Sequence, residues 1–258
     1  MHFKLIQLNT LHGGEIFQPM MDFLKKENGD ILHLQEVFSN EQRIHFPNNL
    51  NYSCFQFIQD NFNYPYTAFV KGFEWQVTPE TNLPMGNATF SRFSIDSFHS
   101  VYMPDHKGFD YNYYSSKQPK DFSDAPASFV ASTLHIGDKK VKSINIHGVW
   151  GFDGEDNPRR LQMRDQILEE IKNDEYVIVS GDFNTTPDTQ TMQGLESKLV
   201  NVFKNELRTT FNGKRWKHAD PTYVVDYLFV SPNIKVVDHY MPNADISDHM
   251  PLVAILEL

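Results

Sequence analysis

The chain has 258 residues, of which 40% are hydrophobic, 14% aromatic and 22% charged, with a net charge of −10. That length supports one large domain with a substantial core. The scatter of Gly and Pro excludes a fibrous or low-complexity chain, and the acidic balance argues against a surface built to neutralise long runs of nucleic-acid phosphate.

Cys54 is the one cysteine, so no internal disulfide forms. No run reaches the roughly 18 apolar residues of a membrane span, and the first residues lack the basic start and apolar stretch of a signal peptide. The expectation is a cytoplasmic protein without a membrane span or an obligate protein partner.

From the N-terminus, Phe3 to Asn9 alternates apolar and polar residues and reads as a strand. Ile16, Phe17, Met20, Met21 and Leu24 recur at helical spacing, predicting a helix that begins near Pro19 and is capped at Gly29. Asp30 to Val37 is a second strand. Tyr52 to Ile58, Tyr66 to Gln76, Ile95 to Met103, Ser128 to Ile136 and Val141 to His147 are rich in aromatic and β-branched residues and predict antiparallel strands. The last two are joined by a hairpin turn at Gly137 to Lys140.

Met103 to Ala127 has no periodicity and reads as a long surface loop. Asn157 caps a helix that Pro158 opens, with Leu161, Ile167, Leu168 and Ile171 on its buried face. Tyr176 to Ser180 is a strand, a short helix starts near Asp188, and Asp226 to Val230, Lys235 to Met241 and Leu252 to Leu258 are the final strands. Mixed strands with few helices predict an α/β fold of two packed sheets with helices outside, a single domain over residues 1–258. The strand–helix–strand start and the strand-rich end are candidates for pseudo-symmetric halves.

Polar side chains gather where strands end: Asn9, Gln35 and Glu36, His147, the Gly181 to Asn184 turn, and Ser247 to His249. A strand end holds a carboxylate rigidly while its head faces solvent. Singly, each is ambiguous, because Asp or Asn after a strand is commonly a turn former. Glu36 closes an apolar run, where an unpaired carboxylate is costly, and pairing with a lysine is the alternative to metal binding.

LIQLNT, LHLQEV, GNATFSR, INIHG, VIVSGDFNTTP, DYLFVS and ISDHMPL occur in this order over residues 4 to 252. In these motifs the chain resembles the endonuclease/exonuclease/phosphatase superfamily. The resemblance implies a four-layer α/β sandwich, two mixed β-sheets flanked by helices, with one site at the strand ends of both sheets and a Mg²⁺ or Mn²⁺ requirement. It does not imply one substrate, since such folds host many.

Carried onto this sequence, it makes Glu36 the main metal carboxylate, with Asn9 and Asp248 as further metal contacts. Asp182 becomes the base that orients or deprotonates water, and Asn184 holds that water or a phosphoryl oxygen. His249, oriented by Asp226, donates to the phosphoryl oxygens, and His147 contacts phosphate or aids the leaving group. Leu11 departs from the pattern, because DNA-repair members carry an acidic residue there. Arg92 is either a phosphate contact or half of a structural ion pair, and Trp150 either stacks on substrate or covers a sheet edge.

No HExxH, CxxC, GxSxG or GxxxxGK[ST] motif is present. The expected activity is a divalent-metal-dependent phosphodiester hydrolase acting by in-line water attack on nucleic-acid ends or nucleotide-derived diesters. Its partner would be a phosphate ester, single-stranded or terminal nucleic acid included, with the Tyr111 to Tyr114 rings as stacking platforms. A phosphatase or phosphodiesterase of a small molecule, inositol phosphate or phospholipid headgroup is the alternative, and a non-catalytic binding module is the rival from another class.

Overall fold

The computed structural model describes residues 1–103, 126–151, 153–216 and 222–258. Most of the predicted loop from Met103 to Ala127, with its Tyr111 to Tyr114 rings, lies outside the described residues. One six-stranded sheet runs β11 (Lys235–Tyr240), β12 (Leu252–Glu257), β1 (His2–Asn9), β2 (Ile31–Phe38), β4 (Thr81–Ser91), β3 (Tyr66–Thr78). The other runs β5 (Ile95–Tyr102), β6 (Ser128–Ile136), β7 (Lys139–His147), β8 (Tyr176–Asp182), β10 (Asp226–Val230), β9 (Val200–Asn201).

Both sheets follow one plan. A central parallel pair, β1/β2 in the first and β7/β8 in the second, is flanked on each side by antiparallel strands. Parallel neighbours need a crossover. It is supplied by helix α1 (Phe17–Glu27) in one sheet and α3 (Pro158–Ile171) in the other. The two halves are thus pseudo-symmetric, as the order of elements suggested.

Helices cover the outer faces. Met20, Met21 and Leu24 of α1, with Cys54, Phe55 and Ile58 of α2 (Cys54–Asn61), pack on Ile6, Leu8, Leu32 and Leu34. On the second sheet Met163, Ile167 and Ile171 of α3, with Met192 and Leu195 of α4 (Gln190–Glu196), pack on Ile144, Ile146, Val177 and Val179. Among the described residues no helix is long and apolar enough to cross a membrane.

Two local expectations change, and one strand is new. Tyr52 to Ile58 is a 3-10 turn (Leu50–Ser53) leading into α2, not a strand. Its rings meet the sheet at helical spacing, and tertiary packing overrides their strand preference. The GNATFSR motif lies in β4, a strand that pairs with both β2 and β3. Helix α1 ends on Asn28 in the left-handed region (φ 54°, ψ 51°), with Gly29 one residue beyond.

Strand alternation decides what lies between the sheets. At one end the inward residues are apolar, with Phe3, Leu5 and Ile31 against Val141, Ile178 and Leu228. Two residues further along each central strand they turn polar, to Gln7, His33 and Gln35 against Ser143, Asn145 and Ser180, all buried. A further step reaches Asn9 and Asp182. The core therefore grades from oil to amide to carboxylate toward the carboxyl ends of the parallel strands, where open α/β sheets carry their ligand sites.

Candidate active site

Asn9 ends β1, Glu36 sits near the end of β2 and Asp182 ends β8. The Asn9 side-chain nitrogen joins all three, donating to Glu36 Oε1 at 3.0 Å and to Asp182 Oδ2 at 3.0 Å. Its oxygen accepts from the Leu11 amide at 3.1 Å. By alternation Glu36 would share the helix-facing side with Leu32 and Leu34. A register shift against β4 between Leu34 and Val37, with Glu36 at φ 57°, breaks that parity. Asn184 is also left-handed at φ 55°. Each such non-glycine conformation costs on the order of 1 kcal/mol, and such outliers cluster at functional sites.

Between Asn9 and α1 the backbone makes a left-handed turn, Leu11 (φ 54°), His12 (50°), Gly13 (74°) and Gly14 (91°). The turn delivers the His12 amide to Glu36 Oε2 at 2.9 Å. Glycine is required at 13, because a Cβ there would lie 2.5 Å from the Asn51 carbonyl oxygen. The His12 ring stands 3.8 Å from Glu36 Oε2, donates from Nδ1 to Glu15 Oε1 (3.0 Å), and meets the Trp75 ring at 4.7 Å.

Burial works against the Glu36 carboxylate. The His12 and His147 imidazoles, the His12 amide and Asn9 more than offset it and hold the group at about 2. Burial also opposes a charged His12, yet Glu15 and Glu36 raise it above the ordinary histidine range.

The second sheet supplies His147 and Asp226, and the loop leading into β12 of the first sheet supplies His249. His147 Nε2 lies 3.7 Å from Asp182 Oδ2 and 4.0 Å from Glu36 Oε1. His249 Nε2 lies 3.8 Å from Asp182 Oδ2, and its Nδ1 is 2.8 Å from Asp226 Oδ2. Burial disfavours the His249 cation, but the charges of Asp226 and Asp182 raise its pKa well above the usual value. Asp182 is pushed up by burial and by Asp226, against the pull of His249 and His147. Asn184 is buried, and its side-chain nitrogen has no partner among the described residues.

The loop carrying Asp248 and His249 is tied down from both sides. Ser247 Oγ donates to the Asn9 carbonyl at 2.7 Å. Asn212 takes the Asp248 carbonyl through its amide (2.7 Å) and the Ser247 carbonyl through its side chain (3.0 Å). Phe211 forms a β-bridge with His249 and stacks on Trp216 at 3.8 Å.

Asn9, Glu36, His147, Asp182, Asn184, Asp226, Asp248 and His249 therefore converge at one end of the two sheets. Arg92 does not join them. Its amide bonds the Asp30 carbonyl and its guanidinium pairs with Asp30 at 3.0 Å, at the start of β2 and the opposite end from Glu36. The ion-pair alternative is what the structure shows.

Trp150 is half-buried in the turn after His147. The turn's carbonyls at Val149 and Gly151 are gripped by the buried Arg160 guanidinium, at 3.1 and 3.4 Å. Sequence reasoning missed His12, Gln7, Trp75 and Trp216. The Gly13-Gly14 pair was the available signal for His12, because two glycines after a strand announce an unusual backbone.

The donor set fits a hard divalent cation. Glu36 and Asp248 are half-buried oxygen donors, and Asp248 is pushed up by burial and by the neighbouring Glu36 charge. Two carboxylates that repel in this way are relieved by a cation such as Mg²⁺ or Mn²⁺. Asn9, expected as a further metal contact, instead presents its nitrogen to Glu36 and Asp182 and bridges those two carboxylates. Asp182, Asp226 and His249 also place ligand-type atoms within 4.8 Å of one another. There, however, the imidazolium itself supplies the positive charge.

A model of the Endonuclease/Exonuclease/phosphatase family matches residues 6–249. An endonuclease/exonuclease/phosphatase from Bacteroides vulgatus superposes with a TM-score of 0.71 at 17% identity, covering 100% of this chain and 99% of that one. A humanized TDP2 from D. rerio gives 0.68 at 12% identity over 100% and 99%. A mannosyl-6-phosphatase from Bacteroides thetaiotaomicron gives 0.64 at 15% identity over 99% and 100%. No curated protein matches the sequence. At these identities the likenesses establish the shared fold.

Proposed function

The chain belongs to the endonuclease/exonuclease/phosphatase family, and from that premise we propose that it is a Mg²⁺- or Mn²⁺-dependent phosphoester hydrolase. The observation that carries the reading is the position of Asp182. It stands between His147 (3.7 Å) and His249 (3.8 Å) and is tied through Asn9 (3.0 Å) to Glu36.

Glu36 and Asp248 would hold the cation, which when bound supplies Lewis-acid charge to a phosphoryl oxygen. The chain's own groups do the rest. Asp182, raised above the ordinary carboxylate value by burial, orients a water and takes its proton. Asn184 offers its spare N–H to a phosphoryl oxygen. His249, kept as imidazolium by Asp226, donates from Nε2 to the charge that builds in the transition state. His147 stands ready to contact the phosphate or protonate the leaving oxygen.

For substrate, a nucleotide-derived diester or a nucleic-acid end comes first. The His12–Trp75 and Phe211–Trp216 ring pairs lie on the Glu36 and His249 sides of the cluster, where rings of an esterified alcohol can stack. A specific observation favours the second reading, a small phosphomonoester or sugar phosphate. Among the described residues the ion pairs of Glu36, Asp182 and Asp226 are with imidazoles and none is with a lysine or arginine, which offers no track for a long polyanion.

The test is turnover of bis(p-nitrophenyl) phosphate, p-nitrophenyl phosphate, a dinucleotide and mannose 6-phosphate with Mg²⁺, with Mn²⁺ and with chelator. Metal-dependent hydrolysis of at least one supports the reading, and its absence across the panel ends it. Preference for a diester over its monoester chooses the first substrate class.

A further inference from the structure

Asp226 is held from both sides. His249 Nδ1 meets Oδ2 at 2.8 Å, and the side-chain nitrogen of Gln7, on the opposite sheet, meets Oδ1 at 2.9 Å. Gln7 is fully buried, and the same nitrogen donates its second hydrogen to Gln35 Oε1 at 3.1 Å.

A buried amide has two orientations, and here backbone carbonyls select one. The Asn145 side-chain nitrogen lies between the Leu34 and Ala88 carbonyl oxygens, at 3.2 and 2.9 Å. An amide oxygen in that place would face two acceptors. Asn145 Oδ1 must therefore face Gln35, and only the Gln35 nitrogen can answer it, at 2.7 Å. That leaves Gln35 Oε1 toward Gln7, whose nitrogen must turn to it and, by the same rotation, to Asp226. The cost is visible, since Gln7 Oε1 is buried without a partner among the described residues.

We propose that Gln7 is a positioning residue, the last link of an amide chain from Asn145 through Gln35 that fixes Asp226 as a double hydrogen-bond acceptor and so sets the ring orientation of His249. With Oδ1 accepting from Gln7 and Oδ2 facing Nδ1, the ring nitrogen is the donor of the His249–Asp226 bond. Nε2 is then left facing Asp182 and the reaction centre. The inference rests on the charge-stabilising role given above to His249, but its structural part can be tested without turnover.

The experiment compares wild type with Gln7→Met, which keeps the length of the side chain and removes the donor. The first readout is the low-field proton resonance of His249 Nδ1–H, assigned by its loss in His249→Gln. It shifts upfield or broadens in Gln7→Met. The second is kinetic, on whichever ester the wild type hydrolyses. kcat falls on the order of 10- to 100-fold, the usual effect of removing such a supporting partner, while KM stays within about twofold.

Should Gln7→Met fail to fold, hydrogen exchange in the wild type decides. The two side-chain amide protons of Gln7 exchange far more slowly than those of exposed Gln42. A His249 resonance and a kcat both unchanged in Gln7→Met, or Gln7 amide protons exchanging like those of Gln42, would overturn the proposal. A wild type that hydrolyses no ester would instead remove the functional reading and leave the resonance and exchange results to judge Gln7.

Discussion

Acidification should unfold this protein through His33, by an amount that the structure allows to be worked out. His33 is fully buried between the sheets, with Nδ1 2.7 Å from Ser180 Oγ and Nε2 2.9 Å from Ser143 Oγ. Burial pushes its pKa from 6.5 down to about 3. The folded pKa lies below the unfolded one, so between these values the unfolded chain binds a proton that the fold refuses. Stability is then unaffected above about pH 6.5 and falls as pH drops toward 3.

The slope is about 1.4 kcal/mol per pH unit within that window, so by pH 4.5 the loss is roughly 2.7 kcal/mol, a large share of a typical domain's stability. Urea unfolding at a series of pH values measures it, with His33→Asn as the control that cannot titrate. The stability difference between wild type and variant should shrink by about 2.7 kcal/mol from pH 7 to pH 4.5. Parallel curves across that range would refute the account of His33 as a buried neutral group. The same measurement separates acid loss of the fold from acid loss of catalysis, since His33 touches the layer that supports the site without belonging to it.

Glu36→Gln should abolish stabilisation by Mg²⁺ or Mn²⁺ in thermal melts, and the metal-free variant should melt below the wild type because the carboxylate held at about 2 is lost. At about 100 Kd of metal the wild type gains roughly 2.7 kcal/mol that the variant lacks. Gly13→Ala should lower stability by about 1–3 kcal/mol, through the Asn51 carbonyl it would strike and the left-handed φ it would have to adopt. Turnover should drop with it, because the His12 amide leaves Glu36. Asp226→Asn removes the charge that raises His249. The wild-type imidazolium survives above the ordinary histidine range, so the alkaline limb of the wild-type pH–rate profile should move to lower pH in the variant. An unmoved limb would mean that His249 does not carry the titration.

Much of the fold was legible in the chain because alternation and helical spacing are local. Phe3 to Asn9 alternates apolar and polar residues, while Asp30 to Val37 and Tyr176 to Ser180 carry short apolar runs, and both patterns mark strands. The α3 helix announces itself by Asn157, whose side chain accepts from the Arg160 amide. Where packing outvoted local preference, as in Tyr52 to Ile58, the spacing of three aromatic residues was compatible with either period, and only the groove beside β2 chose the helix.

The site divides along the same line. The residue types at the strand ends, Asn9, Glu36, His147, Asp182 and the Asp248-His249 pair, are written in sequence, because a strand end is where a rigid polar head can meet solvent. What tertiary structure alone decided is their relation. Strands far apart in the chain pair at the centres of two sheets, which puts Gln7 against Asp226. A bulge turns Glu36 off its expected face, and the start of β2 carries Arg92 away to the far end. Those outcomes depend on register and on which carbonyl lies opposite which amide. These are properties of paired backbones and have no counterpart in the order of residues along one of them.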